Sequence, residues 1–582
     1  MHPFFFSAHF RGIGAFSSLY WVQCMNNIIR ITISCCFLAL MHGMIACSKS
    51  KSGPPAPPPT GFRFAAVVVF GEQEGNAYRT YDNLPTITFL FAAPINRSSV
   101  AGSVRFRNSA NEDIAYQATY KQGDSAIAIT PVAPLAWLEA FTIGFARTLQ
   151  STTNGALEEE VTFTFKTPLD QTPKFPVISE DSLLTLVQQQ TFKYFWDFAH
   201  PVSGLARERN TSGDIVTTGG SGFGMMALPV AVERGFITRA EALARMQQIT
   251  GFLLHTAQRF HGAYPHWLNG ATGAVVPFSA KDNGADLVET SFLVAGLLTA
   301  RQYFNSADPA ETALRKDIDS IWYQVEWDWF RRNDQQVLYW HWSPYYGWEM
   351  DHPIKGWNEC LITYVLAAAS PTHSIPATVY TNGWAGNGDM LNGGVYYGLP
   401  LPLGESMGGP LFFAHYSFLG IDPNGLADPY ANYFTQNRNH ALINHAYCKA
   451  NPKAYYGYSD SCWGLTASDI PNGYTASSPT NDVGVIAPTA ALSSFPYTPL
   501  ESMKALKYFY YVLGDKLWKE YGFIDAFSLH QHWFANSFLA IDQGPIIVMI
   551  ENYRSGLVWN LFMSCPEVKA GMTALGFQSP RL

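Results

Sequence analysis

Two hydrophobic periods divide the chain. Up to residue 168, Pro85–Phe91, Val104–Phe106, Ala126–Ile129 and Val161–Phe165 are rich in β-branched and aromatic residues, with turn residues at short intervals between them. This pattern predicts a small β-sandwich over residues 61–170. After Pro176 the period lengthens, and Leu184, Val187, Thr191, Tyr194, Phe195 and Phe198 fall at helical spacing. Thr238 and Glu241 form a capping box ahead of Leu243, Met246, Ile249 and Leu253. Asp308-Pro309-Ala310-Glu311 supplies an N-cap, a proline at the first helical position and an acid in the first turn. Further helical runs are expected near 285–305, 356–369, 430–449, 499–513 and 544–558. About a dozen helices over residues 171–582 fit a closed ring of helical hairpins, although periodicity alone leaves a large bundle open. The lack of a fixed-length repeat weighs against a solenoid.

The first 60 residues follow neither period. Arg30 precedes an apolar run from Ile31 to Leu40, and Met44-Ile45-Ala46 then leads to Cys47. This reads as a lipoprotein signal peptide over 25–46 with Cys47 as the lipidated residue, too short for a membrane-spanning helix. Residues 1–24 read as an over-extended start, and 47–60, with Pro54, Pro55, Pro57, Pro58 and Pro59, as a semi-rigid tether. The expected location is the cell envelope, at the outer membrane, with the lipid anchor as the membrane contact. Cys360, Cys448, Cys462 and Cys565 remain beyond the tether and lack a metal-type spacing. A Cys448–Cys462 pair is left open by the sequence.

Composition sharpens the picture. Charged residues are 14% of the chain, aromatics 15%, and the net charge is −8. Such a chain folds, and it lacks the basic face that a nucleic-acid binder needs. In so charge-poor a sequence, acids within apolar runs stand out. Asp282, Asp286 and Glu289 stand at i, i+4 and i+7, and would share one face if a helix covered all three. Helix-start acids are favoured by the macrodipole, which accounts well for Asp282 and partly for Asp286. It accounts poorly for Glu289, expected beyond the first turn. Glu359 opens another apolar run after the aromatic stretch 340–357. Paired carboxyls in a low-charge setting suit glycoside hydrolysis, with one protonating the leaving oxygen and another activating water or attacking. Trp267, Trp348 and Trp357 are candidate walls for sugar rings, and Asn269, Asn358 and Gln543 candidate hydroxyl partners. Asp469 and Asp482 are weaker candidates. Gly219, Gly220, Gly222 and Gly224 lack the lysine of a phosphate loop, and read as a tight turn or a close approach to a sugar. No metal and no cofactor are expected.

The segments "TTGGSGFGMMALPVAVERGFI", "YPHWLNGATG", "PFSAKDNGADLVETSFLVAGLLTARQYF", "HWSPYYGWEMDHPIKGWNECLITYVLAAASPTH" and "AIDQGPIIVMIENYRSGLVW" resemble glycoside hydrolase family 144, the bacterial glucoamylase-like family that includes β-1,2-glucanases. The resemblance spans residues 180–565. Residues 61–168 resemble bacterial Ig-like domains. The resemblance implies a mainly α protein, an (α/α)6 toroid preceded by the Ig-like sandwich. It also implies inverting hydrolysis of β-1,2-glucan, with Glu359 as general acid and Asp282, Asp286 and Glu289 completing the acidic site. The base stays open between Asp286 and Glu289, as does endo against exo cleavage. A monomer is expected. Rival readings are a glycosidase for another glucan linkage, a non-catalytic glycan-binding lipoprotein and a polysaccharide lyase. A lyase would want Arg or Lys beside Tyr, His or Asn, and the acid cluster argues against it.

Overall fold

The computed structural model describes residues 61–582. The expected leader, the Cys47 anchor and the tether lie outside the described residues. Contacts divide the described chain into two compact units, one built from 61–70, 84–133 and 142–164, the other from 71–83, 134–141 and 165–582.

The first unit is β. Strands Phe64–Val68, Ile87–Phe91, Ala126–Pro131 and Tyr116–Lys121 form an antiparallel sheet in that spatial order. The alternation in Ile87–Phe91 is used as read, with Ile87, Phe89 and Phe91 buried. Their rings meet those of later strands edge-on, Phe89 to Phe145 at 4.7 Å and Phe89 to Phe163 at 5.6 Å between centroids. Edge-to-face aromatic pairs add about 0.5–1.5 kcal/mol each beyond the area they bury.

The second unit is helix-rich around one continuous hydrophobic core. Three of its helices are apolar nearly all round, Thr218–Glu233, Leu287–Tyr303 and Ala540–Arg554, and they are buried over most of their length. A helix without a polar face must lie inside other elements. Others are two-faced, such as Pro309–Tyr323, which buries Leu314, Ile318, Ile321 and Trp322 and leaves Lys316 exposed, its buried Glu311 being paired with Arg239. Both sequence-read caps are formed. Thr238 accepts the Glu241 N–H while Glu241 accepts the Thr238 N–H, and Asp308 accepts from Ala310 at 2.7 Å.

The glycine cluster departs from expectation. Gly219, Gly220, Gly222 and Gly224 lie inside the helix Thr218–Glu233 rather than in a turn before it. Their lack of side chains lets this helix close on Leu287–Tyr303. A Cβ on Gly222 would stand 2.1 Å from the Phe292 carbonyl oxygen, and one on Gly296 would stand 2.2 Å from that of Gly222. Cys448 and Cys462 are free, buried thiols, so the pairing left open by the sequence is not made. Among the described residues no helix is long and apolar enough to cross a membrane.

Candidate active site

The acidic segment is not one helical face. Ala285–Asp286 is a short strand paired with His341–Trp342, which places Asp286 opposite His341. The extended backbone of Asp286 delays the helix to Leu287 and makes Asp286 its N-cap. Asp282 therefore sits in the preceding loop, and Glu289 falls in the first turn, not beyond it. Asp286 Oδ1 accepts the Glu289 N–H at 2.9 Å, as an N-cap should.

The Glu289 side chain then crosses to a second helix start. Its Oε2 accepts the Gly219 N–H at 2.7 Å. A methyl on Gly219 would lie 2.5 Å from that oxygen, so only glycine leaves room. The N-termini of Leu287–Tyr303 and Thr218–Glu233 thus both meet carboxylates, where their unpaired N–H groups and dipoles favour negative charge.

Two histidines complete the cluster. His266 Nδ1 stands 3.0 Å from Asp286 Oδ2, and its ring stacks on Phe278 at 4.2 Å. Burial would depress this imidazole, but Glu289, Asp286 and Asp282 around it outweigh burial and push it up to about 9. His341 Nε2 lies 3.5 Å from Asp282 and 3.6 Å from Asp286. Burial dominates there and pulls His341 down to about 4, so it stays neutral near pH 7. The carboxyls divide accordingly. Burial would raise Asp286, yet its hydrogen bond with His266, the fields of both histidines and the Glu289 N–H hold it below the usual range. Burial and then the Asp286 charge push Asp282 up, and its Oδ1 has no partner. Glu289 is raised, first by burial. His266, Asp282 and Asp286 each offer a ligand atom within 4.8 Å of the others, the spacing of a cation site. The His266–Asp286 hydrogen bond accounts for two of the three, and His341, facing both Asp282 and Asp286, for the third.

Glu359 arrives from a different part of the chain. It sits half-buried in the turn before helix Leu361–Ala369, two residues short of opening it. The Ser417 hydroxyl donates to its carbonyl, and Asn358 Oδ1 accepts the Cys360 N–H at 2.9 Å, so the turn is held on both sides. Burial, with smaller contributions from Glu289 and Asp286, pushes the Glu359 carboxyl up to about 7. The structure thus brings Asp282, Asp286, Glu289 and Glu359 into one electrostatic neighbourhood.

The expected sugar contacts scatter. Trp267 is half-buried and meets His266 and Phe278 edge-on. Trp348 packs on Trp329 at 4.7 Å. Trp357 is only 5% exposed and lies between Phe418 and Tyr433 as core. Asn269 Oδ1 accepts from Ala271 and Thr272 in a turn, and Gln543 is buried with its amide donating to the Phe523 carbonyl. Asp469 bonds Arg209 and Ser537, whereas Asp482 is enclosed by the Tyr447 and Tyr458 hydroxyls and the Gly484 N–H. The residues that sequence reasoning missed are the two histidines, with Glu208 in the field of His266 and Tyr416 in those of Glu359 and Glu289. A histidine beside tryptophan in both "PHW" and "WHW" was the available signal for His266 and His341.

Known proteins match this chain on both units. The family model described as "Putative glucoamylase" covers residues 351–566, and a bacterial Ig-like domain model covers 76–167. The exo β-1,2-glucooligosaccharide sophorohydrolase (non-reducing end) of Parabacteroides distasonis is 43% identical over 543 residues, which is 86% of this chain and 74% of that protein. The chain belongs to glycoside hydrolase family 144. Among solved structures, the endo-β-1,2-glucanase of Chitinophaga pinensis, in complex with sophorotriose and glucose, is 55% identical with a TM-score of 0.68. It covers 70% of this family 144 chain and all of its own. A β-1,2-glucanase from Parabacteroides distasonis is 39% identical with a TM-score of 0.68, over 90% of this chain and 74% of that one.

Proposed function

We propose that this family 144 protein hydrolyses β-1,2-glucan and its sophoro-oligosaccharides by inverting acid/base catalysis. The observation that carries the chemistry is Glu359, a half-buried carboxyl pushed up to about 7 within the field of Glu289 and Asp286. A general acid needs a pKa near the working pH, and burial with neighbouring negative charge supplies it. Protonated Glu359 donates to the glycosidic oxygen as the bond to the anomeric carbon breaks. Water attacks from the opposite face of the sugar and gives its proton to Glu289. Asp286 is the poorer base, because one oxygen is committed to the Glu289 N–H and the other to His266. Its fixed negative charge favours the oxocarbenium-like transition state. Asp282 serves as a hydroxyl partner, and Trp267 as a ring wall.

The helical body is read as an (α/α)6 toroid, with the fully buried helices as the inner ring and the two-faced ones outside. Residues 25–46 are read as a signal peptide and Cys47 as a lipid anchor at the outer membrane, with the protein acting as a monomer. The deciding experiment is product analysis on β-1,2-glucan, laminarin, cellulose and starch. Release of sophoro-oligosaccharides from β-1,2-glucan alone is expected, and their lengths separate endo from exo cleavage. Equal activity on another glucan, or none on β-1,2-glucan, would refute the reading.

A further inference from the structure

Beside the catalytic acids, the helical unit buries a second pair of carboxyls that the reaction above leaves unused. Asp525 and Asp542 are each 2% exposed. Asp542 lies in the first turn of Ala540–Arg554, and Asp525 in the loop after Gly522–Phe523. Each lies within the electrostatic field of the other. An ionised carboxylate only accepts, so a bond between two of them requires a proton on one. Each also keeps one oxygen, Asp525 Oδ1 and Asp542 Oδ2, that receives no N–H or O–H from any other group. Buried oxygens without donors call for an explanation, and a proton held between the two carboxyls supplies it.

The pair is tied to the neighbourhood of the active site. Asp525 Oδ2 accepts the Asp469 N–H at 2.7 Å. Asp469 stands on Ala467–Ile470, directly across a hairpin from Tyr474. Its carboxylate takes Arg209 Nη1 at 3.2 Å and the Ser537 hydroxyl at 2.5 Å. Arg209 Nε continues to Glu208 at 3.0 Å, and Glu208 lies in the field of His266, the imidazole bonded to Asp286. The charged and titratable groups facing the pair are Asp469, Arg209, Tyr416 and Tyr474. Arg209 is the one cation among them, and it is already committed to Glu208 and Asp469. Two negative charges on the pair would therefore go uncompensated.

We propose that Asp525 and Asp542 share a single proton and act as a positioning pair, fixing the Asp469–Arg209–Glu208 chain beside the catalytic carboxylates. The proposal rests on reading that cluster as the site of glucan hydrolysis. Losing the proton would set two carboxylates against each other and draw Asp525 off the Asp469 N–H, loosening a wall of the binding site without touching the reacting atoms.

The test compares Asp542→Asn with Asp542→Ala in the full chain. Asparagine restores an N–H donor to Asp525, whereas alanine removes the bond. Three readouts apply. The first is melting temperature from pH 4 to pH 8. A carboxyl that keeps its proton in the fold but loses it when unfolded stabilises fully below its unfolded pKa, and that stability drains as pH rises. The Asp542→Asn minus wild-type difference is therefore expected to grow with pH. The second is infrared absorption near pH 7, where Asp542→Asn is expected to lose one neutral-carboxylic-acid carbonyl band. The third is kinetics on β-1,2-glucan. Asp542→Ala is expected to raise KM about tenfold or more with kcat within about threefold of wild type, and Asp542→Asn to stay within about threefold in both. Should the alanine variant not fold, Asp525→Asn still accepts the Asp469 N–H and donates to Asp542, and is expected to behave as Asp542→Asn does. A melting difference flat with pH, an unchanged infrared spectrum, or KM raised equally in asparagine and alanine variants would overturn the proposal. A wild-type protein that releases no sugar from β-1,2-glucan would sink the functional reading instead, because melting and infrared need no substrate.

Discussion

Glu359→Gln isolates the acid step. Glutamine is nearly isosteric and fits the turn that Ser417 and Asn358 hold, but it has no acidic proton to give. General acid catalysis contributes about 10²–10⁴-fold, or about 3–5 kcal/mol of barrier. kcat/KM on β-1,2-glucan is expected to fall by that factor. The wild type should lose activity on the alkaline side of pH 7, because a carboxyl at about 7 is only about one-tenth protonated by pH 8. The variant should lack that limb. An aryl β-glucoside with an acidic leaving group needs little protonation, so its hydrolysis should fall far less. Stability gives a separate check of the same number. The Glu359 carboxyl is raised in the fold from 4.5 to about 7, so its contribution is complete below the unfolded pKa and drains as pH rises through about 7. The full shift corresponds to about 3 kcal/mol. Glu359→Gln is thus expected to melt higher than wild type at pH 8, with the advantage shrinking toward pH 4. Reducing-sugar release from pH 5 to pH 9 and scanning calorimetry supply both measurements. A variant that stays within tenfold of wild type on glucan, or keeps its alkaline limb, would refute the assignment.

Three further outcomes follow, two from the same geometry and one from the leader read in the sequence. Asp286→Asn removes a negative charge that favours protonated Glu359, so the alkaline limb of kcat/KM should move to lower pH while kcat falls; a limb shifted upward would contradict the electrostatics. Gly219→Ala places a methyl 2.5 Å from Glu289 Oε2, and should cost about 1–3 kcal/mol in unfolding free energy along with much of kcat; wild-type activity and denaturation midpoint would show that the contact is unimportant. Cys47→Ser should move the protein from the detergent phase to the aqueous phase on cell fractionation, and continued detergent partitioning would argue against a lipid anchor.

Why two helix starts hold the acids follows from charge. Asp286 and Glu289 are buried where carboxylates would ordinarily take up protons. The Glu289 N–H and His266 hold Asp286 below the usual range, while the Gly219 N–H offsets only part of the cost at Glu289, which stays raised. At Glu359 only its own backbone N–H opposes burial, and burial wins, with Glu289 and Asp286 adding to the upward push. Glu359 and Asp286 are thereby pushed apart in pKa by their surroundings within one carboxylate cluster.

Local pattern determined much of this protein. The change of period near residue 176, the caps at Thr238 and Asp308, and the strand Ile87–Phe91 each depend on residues within a few positions of one another, and each formed as read. The four acids were visible because charges are scarce around them. Tertiary structure decided their roles. Pairing with His341, more than fifty residues away in sequence, extends Asp286 and moves the helix start, so spacing alone misplaced Asp282 and Glu289. The glycine cluster gained its meaning only when the Leu287–Tyr303 helix lay against it. The upward push on the Glu359 carboxyl and on the His266 imidazole, and the burial of Asp525 and Asp542, depend on surroundings and partners distant in sequence. Periodicity registers neighbours along the chain, whereas a pKa registers neighbours in space.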